Sequence, residues 1–404
     1  MIKLYKNKTF FNLLNVLIVI VAFMLFVFPN SFRNIKLPFL LLFFIVGLSQ
    51  IHKIERVVVF SLLLSLMITI IYLVIGVNKS KDPMEALSQV LIVYAFTPIM
   101  WTVIMNYCFE KFPLPKIIRY LNIYMVLGCI SVFVAIWLFM NGKRQILELI
   151  IEDPNMTFTK KGIVEMKLFV YGSLIFFIPA FIQIQKIFPR KILFFVILLL
   201  TISTAIVSGR SALLLSVFLG LFFYVMINAS FEIVKYIFLG LLLAVLLFFI
   251  LNSYGVNVFN VLEGFYDKLF GGGDKVRAEQ TDALIKGINR NIFGAGHGVG
   301  VDYIRSKKFP WRYENVPFAI IFRVGLFGFL IYSIPFLYSV YKYVTLKSRN
   351  PYDHYMLVGF ISMLVATFTN PYLESFEFNI FYVIPFIYFV KRDKIFNEKN
   401  SLLH

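Results

Sequence analysis

Long, uncharged apolar runs recur along nearly the whole chain, and they constrain the fold more than any other feature. A run of about 18 to 22 apolar residues matches the thickness of a bilayer core when it is helical. We predict about twelve such spans. They are 11–29, 35–51, 57–77, 87–108, 119–140, 165–185, 190–207, 211–228, 231–252, 315–341, 353–370 and 374–390. The chain is therefore predicted to be an all-α, polytopic integral membrane protein.

The composition excludes an ordinary water-soluble globule. Hydrophobic residues make up 60% of the chain, which is too many for a soluble domain with a normal polar surface. No convincing cleavage site follows the first span, so we expect that span to be retained rather than removed as a signal peptide. Cys108 and Cys129 fall in or at the ends of apolar spans and are expected to be small buried hydrophobes.

Lysine and arginine cluster in alternate loops, which sets the predicted orientation. With the amino terminus in the cytoplasm, each cytoplasmic segment is basic, as the positive-inside rule requires. These segments are marked by Lys3, Lys6, Lys8, Lys53, Arg56, Lys111, Lys116, Arg119, Lys186, Arg190, Lys191, Lys342, Lys347, Arg349, Lys391, Arg392 and Lys394. The net charge of +18 is in part this topology signal, so nucleic-acid binding is not needed to explain it.

The same topology leaves two long connections on the outer side, and the second divides the chain. We predict transmembrane helices 1 to 9 over 1–252, a periplasmic loop subdomain over 253–313, and transmembrane helices 10 to 12 with a cytoplasmic tail over 314–404. Within the loop, helical spacing of apolar residues predicts an interfacial helix over 258–269. A second helix is predicted over 275–290, before the turn-rich NIFGAGHGVG.

Arginine is concentrated on the predicted outer side, where the positive-inside rule leaves few basic residues. Arg210 stands at the turn between spans seven and eight, and a charge at membrane depth costs about 2.5 to 3.5 kcal/mol on insertion scales. Further arginines follow in the loop and the next span: Arg277, Arg290, Arg305, Arg312 and Arg323. Guanidinium binds two phosphate oxygens at once, so this face suits an anionic, lipid-linked ligand. Snorkelling to lipid headgroups and solvated loop charges are the simpler explanations.

Three segments resemble the bacterial O-antigen polymerase and O-antigen ligase superfamily. STAIVSGRSALLLSVFLG is similar to its Ser-Arg transmembrane signature, and VRAEQTDALIKGINRNIFGAGHGVG to its outer-loop arginine, helix and Gly-x-Gly turn. ENVPFAIIFRVGLFGFL resembles the start of the following helix. It has Glu314 and Asn315 where many relatives, the ligases especially, have His-Asn, and Arg323 where an acidic residue is common. The missing histidine favours a polymerase over a ligase.

The resemblance implies a GT-C-like, metal-independent glycosyltransferase whose active site faces the periplasm from the bacterial inner membrane. It would polymerise undecaprenyl-diphosphate-linked oligosaccharide repeat units into O-antigen or capsular polysaccharide. No cofactor is expected. No metal site is expected either, because the histidines are scattered and no DxD pair is present. A chain-length regulator (a polysaccharide co-polymerase) and a flippase are the protein partners that it suggests.

The resemblance and the charges together give candidate binding residues. Arginines in a water-poor site would stabilise the negative charge that develops on the leaving diphosphate. The predicted diphosphate ligands are Arg210, Arg277, Arg290 and Arg323. The predicted glycan contacts are Asn315, Trp311 and Tyr313. The two aromatic residues could stack on sugar rings or belong to an interfacial belt.

The acceptor hydroxyl needs a proton acceptor, for which Glu314, His297, Asp302 and Glu279 are the candidates. Glu314 is preferred because it stands at the membrane entrance beside Asn315, at the position that matches the family's His-Asn. The simpler role of Glu314 is a helix-start carboxylate favoured by the helix dipole. His297 is the alternative catalytic residue, or a loop residue whose neighbouring glycines set the turn.

Two other functions remain open at this point. An O-antigen ligase would transfer the glycan to lipid A core or to a protein, and the shared fold and donor leave it hard to separate from a polymerase. A polysaccharide flippase or other transporter would also have about twelve spans and intramembrane arginines. Transporters generally have related halves, whereas the large loop of this chain has no counterpart in the first half.

Overall fold

Apolar helices dominate the computed structural model, which describes residues 8–29, 31–151, 156–158, 164–166, 172–228, 242, 246, 249, 275–305 and 310–401. The helices are α1 (Lys8–Val27), α2 (Arg33–Leu48), α3 (Arg56–Val77), α4 (Pro83–Lys111), α5 (Leu114–Met140), α6 (Arg144–Ile150), α7 (Leu174–Ile182), α8 (Lys191–Val207), α9 (Ser211–Asn228), α10 (Lys275–Arg290), α11 (Val316–Tyr332), α12 (Ile334–Thr345), α13 (Pro351–Ala366) and α14 (Ile380–Ser401). Two short strands, β1 (Met156–Phe158) and β2 (Val164–Met166), pair as an antiparallel hairpin, a small addition to the predicted all-α class, which the helices confirm.

Among the described residues, five helices are long and apolar enough to cross a membrane. They are Arg56–Val77, Pro83–Lys111, Leu114–Met140, Ser211–Asn228 and Val316–Thr345, the last being α11 and α12 together. Leu14–Val27 and Lys191–Val207 are shorter apolar helices. The prediction of a helical membrane protein is confirmed at this level, and the count of twelve spans stays a prediction.

Two predicted elements lie wholly or largely outside the described residues. The interfacial helix over 258–269 is one of them. Of span 231–252, only Leu242, Leu246 and Phe249 are described, and all three are helical and exposed. The predicted second loop helix is confirmed, because α10 runs from Lys275 to Arg290.

The centre of the bundle is a short helix where the sequence predicts a full span over 165–185. Every residue of α7 is buried, and the helix is only nine residues long. A helix that is apolar on all sides belongs in a core rather than at a surface. It packs against α9 and α13, and at Gly220 of α9 an added Cβ would lie 2.7 Å from the Cα of Pro179. Small residues of this kind let helices approach closely in a membrane.

The outside of the bundle is apolar. Large hydrophobic side chains point away from the protein along α3, α9 and α11, among them Leu63, Val74, Phe218, Phe222 and Phe327. A water-soluble monomer rarely exposes contiguous apolar surface on this scale. These side chains form the lipid-facing surface of a membrane-embedded protein.

Candidate functional site

The helix α11 is broken at Gly325, and the break creates the centre of the candidate site. Gly325 has φ 65° and ψ 178°, a conformation that residues with a Cβ rarely adopt. The loop that follows α10 fills the break, since the Ala295 N–H donates to the Phe322 carbonyl and the Gly296 N–H to the Arg323 carbonyl, both at 2.8 Å. Non-helical backbone at membrane depth is tolerated where it is buried in protein, and here a loop supplies the missing donors.

The same loop is fixed to α3. The His297 N–H donates to the Tyr72 carbonyl at 2.8 Å, and the Tyr72 hydroxyl donates to the Phe293 carbonyl at 2.7 Å. The GAGHG segment over 294–298 is thus held between α3 and α11. We call it the glycine loop.

The side chain of His297 is fully buried beneath the glycine loop. Its Nε2 lies 3.1 Å from the Tyr332 hydroxyl, and its ring lies 4.8 Å from that of Tyr94, centre to centre. Its Nδ1 has no hydrogen-bond partner among the described residues. Burial, and then the positive charge of Arg323, lower the pKa of His297 to about 3. The imidazole is therefore neutral at physiological pH and a weak base.

Arg323 and Glu374 form a buried ion pair beside His297. Each side chain is only 3% exposed. The Arg323 Nη1 donates to Glu374 Oε1 and to the Tyr94 hydroxyl at 3.0 Å, and that hydroxyl donates to Glu374 as well. Tyr94 stands in a π-helical segment of α4, Leu91–Phe96, a local distortion that is frequent at functional sites.

The ion pair also fixes the segment before α11. The Arg323 Nη2 donates to the Trp311 carbonyl, and the Trp311 ring donates to Gln89 Oε1 at 2.5 Å. The Tyr313 hydroxyl accepts the Val301 N–H at 2.7 Å. The rings of Trp311 and Tyr313, predicted to stack on sugars, are both buried and pack inside the protein in this conformation. Both terminal nitrogens of Arg323 are committed to protein partners.

Glu314 lies between two arginines at the start of α11. Its Oε2 accepts from Arg277 Nε at 2.7 Å, and its Oε1 pairs with Arg305 Nη2 at 2.7 Å. The Glu314 side chain is 18% exposed, so the carboxylate is reachable from solvent. Next to it, Asn315 Nδ2 lies 3.4 Å from Thr281 Oγ1. The structure therefore brings together Glu314, Arg277 and Asn315 from the sequence prediction and adds Arg305.

Arg290 is the last residue of α10, the helix that also carries Arg277, and Arg210 lies between α8 and α9. Arg290 lines an open polar cleft of about 510 Å³ on the other side of α10, together with Glu279. It pairs there with Asp302 at 3.3 Å across two exposed side chains. Arg210 is half-buried in the turn between α8 and α9, and its carbonyl accepts the Leu213 N–H at 3.1 Å.

An apolar cavity of about 410 Å³ runs beside this arrangement. It is lined by α3, α4, α11, α12 and α14 and by the end of α13. Pro317 and Thr367 line it near Glu314, since the Val316 N–H donates to the Thr367 carbonyl at 3.2 Å and to the Glu314 carbonyl at 3.1 Å. Three lining side chains, Leu330, Leu337 and Phe368, are exposed on the lipid-facing surface. The cavity therefore joins the lipid-facing surface to the neighbourhood of Glu314.

Tyr94 and Glu374 are the residues that sequence reasoning missed. A signal existed for Glu374, because an ionisable residue at the edge of an apolar span is a candidate functional residue by default. No comparable signal marks Tyr94 among 22 tyrosines. Within the described part of the chain, no three His, Cys, Asp or Glu side chains come together as a metal site would need. No protein-family model matches this chain, and no curated protein or solved structure matches it either.

Proposed function

We propose that this chain is a GT-C-like glycosyltransferase with about twelve spans, located in a bacterial inner membrane with its site facing the periplasm. It polymerises undecaprenyl-diphosphate-linked oligosaccharide repeat units into O-antigen or capsular polysaccharide. The observation that carries the proposal is Glu314, held between Arg277 and Arg305 beside an apolar cavity. This arrangement combines a proton acceptor, two phosphate ligands and a place for a lipid chain.

The two guanidinium groups have a natural ligand in the diphosphate of the donor. Arginine binds phosphate oxygens through its planar fork of donors, and a diphosphate offers more negative charge than the single carboxylate that now occupies both groups. Binding of the donor would therefore draw Arg277 and Arg305 away from Glu314. Arg210 is a further candidate ligand on the strength of the family resemblance. Arg323 is not assigned to the diphosphate, because both its terminal nitrogens are already engaged.

The carboxylate released in this way can act as the general base. It takes the proton of the acceptor hydroxyl while the hydroxyl oxygen bonds to the anomeric carbon of the donor. The bond from that carbon to the diphosphate oxygen breaks, and the arginines stabilise the charge on the leaving lipid diphosphate. Proton transfer of this kind contributes about 10² to 10⁴ in rate.

The apolar cavity suits the isoprenoid chain of such a substrate. Its lining has little polar surface, and it reaches from Pro317, three residues after Glu314, to Phe386 in α14. A chain in the cavity would leave the headgroup at the start of α11. A chain-length regulator and a flippase are the partners that such a polymerase would work with.

The test is polymer length in a deletion strain complemented with Glu314→Gln. Gln keeps the size and hydrogen bonding of Glu, so we expect normal protein in the membrane fraction and about 10²-fold less polymerising activity. Glu148→Gln is the matched control, because Glu148 is an exposed carboxylate that also pairs with an arginine, Arg144. A normal polymer ladder from Glu314→Gln would remove Glu314 as the base.

The phenotype of the deletion strain separates the alternatives. Single repeat units on the lipid A core indicate loss of a polymerase, and a core without any repeat units indicates loss of a ligase. Lipid-linked units trapped in the cytoplasmic leaflet indicate loss of a flippase.

A further inference from the structure

Gln280 is buried between α10 and the start of α11, and only the oxygen of its side-chain amide makes hydrogen bonds within the described residues. The side chain is 1% exposed. Its Oε1 accepts two consecutive backbone donors, the Glu314 N–H at 2.8 Å and the Asn315 N–H at 3.3 Å. Its Nε2 has no hydrogen-bond partner among the described residues.

The orientation of this amide follows from its partners. Backbone N–H groups only donate, so the oxygen of Gln280 must face Glu314 and Asn315. Turning the amide over would place two donors against two donors. The NH₂ group is therefore directed away from the backbone, with two hydrogens to give. Buried polar groups are nearly always hydrogen-bonded, so an unused donor at this position calls for a ligand.

The neighbours of Gln280 place its side chain beside the backbone of the proposed base. Arg277, which holds the Glu314 carboxylate at 2.7 Å, comes one helical turn earlier on the same face of α10. Thr281, the next residue, approaches the Asn315 side chain. Gln280 thus contacts the backbone of the residue whose carboxylate is the proposed base.

We propose that Gln280 is a binding residue for the acceptor sugar. Its Nε2 donates to a hydroxyl oxygen of that sugar, while its Oε1 fixes the backbone of Glu314 and Asn315. A neutral amide donor suits a neutral hydroxyl, whereas the diphosphate is served by the guanidinium groups. This inference rests on the proposed function, because it takes the ligand at Glu314 to be a glycan.

The test uses two variants that separate the two ends of the amide. Gln280→Glu keeps an oxygen for the two backbone donors but removes the NH₂ group. Gln280→Met removes both. The control is Gln183→Met, because Gln183 is also buried but donates to the Pro179 and Gly220 carbonyls in the α7 and α9 region. The probe is the lipid-free repeat-unit oligosaccharide, released from the host polysaccharide by partial hydrolysis.

Binding of this oligosaccharide to the purified full-length protein is measured by calorimetry. We expect both Gln280 variants to weaken binding about tenfold, as the loss of one hydrogen bond from a buried donor predicts. Both variants should also lower the thermal unfolding midpoint, Gln280→Met because it frees the Glu314 and Asn315 N–H groups and Gln280→Glu because it buries a carboxylate. Gln183→Met should lower the midpoint without changing oligosaccharide binding.

Unchanged binding in both Gln280 variants would overturn the inference and leave Gln280 a structural residue. Absence of binding to the wild-type protein would overturn it as well. Failure of the proposed function gives a different pattern. In that case the wild-type protein binds the oligosaccharide and the Gln280 variants bind it more weakly, while Glu314→Gln still elongates polymer at the normal rate.

Discussion

Gly76 of α3 and Gly296 of the glycine loop meet backbone to backbone. A Cβ added at Gly296 would lie 2.4 Å from the Cα of Gly76, and one added at Gly76 would lie 2.0 Å from the His297 carbonyl oxygen. Real Cβ atoms do not approach other atoms so closely, and backbone cannot move aside as a flexible side chain can. The attachment of the loop to α3 therefore depends on the absence of two side chains.

Alanine at either position should displace the glycine loop. We expect Gly76→Ala and Gly296→Ala to reduce the folded protein recovered from membranes strongly, because the loop loses its contact with α3. Gly142→Ala is the control, since Gly142 also has a positive φ, of 69°, but an added Cβ there has nothing within 4 Å among the described residues. Gly142→Ala should cost only about 1 to 2 kcal/mol, the penalty for a left-handed backbone at a residue that has a Cβ. Equal recovery of all three variants would contradict the close contact.

Removing one member of the Arg323–Glu374 pair should destabilise the protein more than removing both. Arg323→Met or Glu374→Met alone leaves a buried charge without compensation, at about 3 to 5 kcal/mol. The double variant should be more stable than either single one. The stability of the wild type, the two single variants and the double variant is measured by thermal unfolding in detergent, as a double-mutant cycle. The exposed Arg290–Asp302 pair provides the comparison, with an expected interaction energy below about 1 kcal/mol. Strictly additive losses at Arg323 and Glu374 would show that the two charges do not depend on each other.

Lysine should not substitute functionally for the two arginines that pair with Glu314. Arg277→Lys and Arg305→Lys keep the charge but lose the fork of donors, so we expect both to shorten the polymer nearly as much as alanine does. Arg144→Lys is the control, because Arg144 is exposed on α6 and pairs with Glu148. Polymer length is compared at equal protein in the membrane fraction, and full-length polymer from both lysine variants would exclude bidentate phosphate binding.

Acidification should destabilise the protein through His297. The pKa of His297 in the folded state is about 3, below its ordinary value of about 6.5. The unfolded chain therefore takes up a proton below pH 6.5 while the folded protein does not. Stability falls as the pH drops from about 6.5 toward 3. Unfolding midpoints at pH 7.5 and pH 5 should differ less in His297→Gln than in the wild type, and the same difference in both would refute this contribution.

Cysteine labelling tests the predicted orientation of the protein in the membrane. In a Cys108→Ala/Cys129→Ala background, Glu279→Cys on α10 should react with an impermeant maleimide added to intact spheroplasts. Lys347→Cys, between α12 and α13, should react only after permeabilisation. Both positions are exposed. A cytoplasmic residue 279 would place the arginines on the wrong side for a flipped lipid-linked substrate and would remove the proposed function.

The sequence predicts elements whose signals are local. The ends of α10 agree with prediction because a glycine run precedes the helix and a turn-rich segment follows it. The break in α11 could not be predicted, since Gly325 stands in an apolar run that reads as continuous helix. The burial of Trp311 and Tyr313 could not be predicted either, because Trp and Tyr occur both in protein cores and at membrane interfaces.

The partner of Arg323 was hidden for a different reason. Glu374 lies 51 residues further along the chain, and spacing does not reveal which acid reaches which base across a bundle. Glu314 was accessible to sequence reasoning, because it stands at a predicted membrane entrance. Of its two guanidinium partners, Arg277 was predicted as a diphosphate ligand, whereas Arg305 was accessible only as part of a general excess of arginine.

The order of synthesis gives the Arg323–Glu374 pair a role in assembly. Tyr94 is made long before α11, but Glu374 follows Arg323 by 51 residues. While the ribosome makes that stretch, α11 must enter the bilayer with an arginine whose main counter-charge does not yet exist. The translocation machinery must therefore hold or accept a segment that carries a cost of about 2.5 to 3.5 kcal/mol. Pairing with Glu374 compensates the charge of Arg323, so α11 reaches its full stability only when the carboxyl-terminal helices are in place.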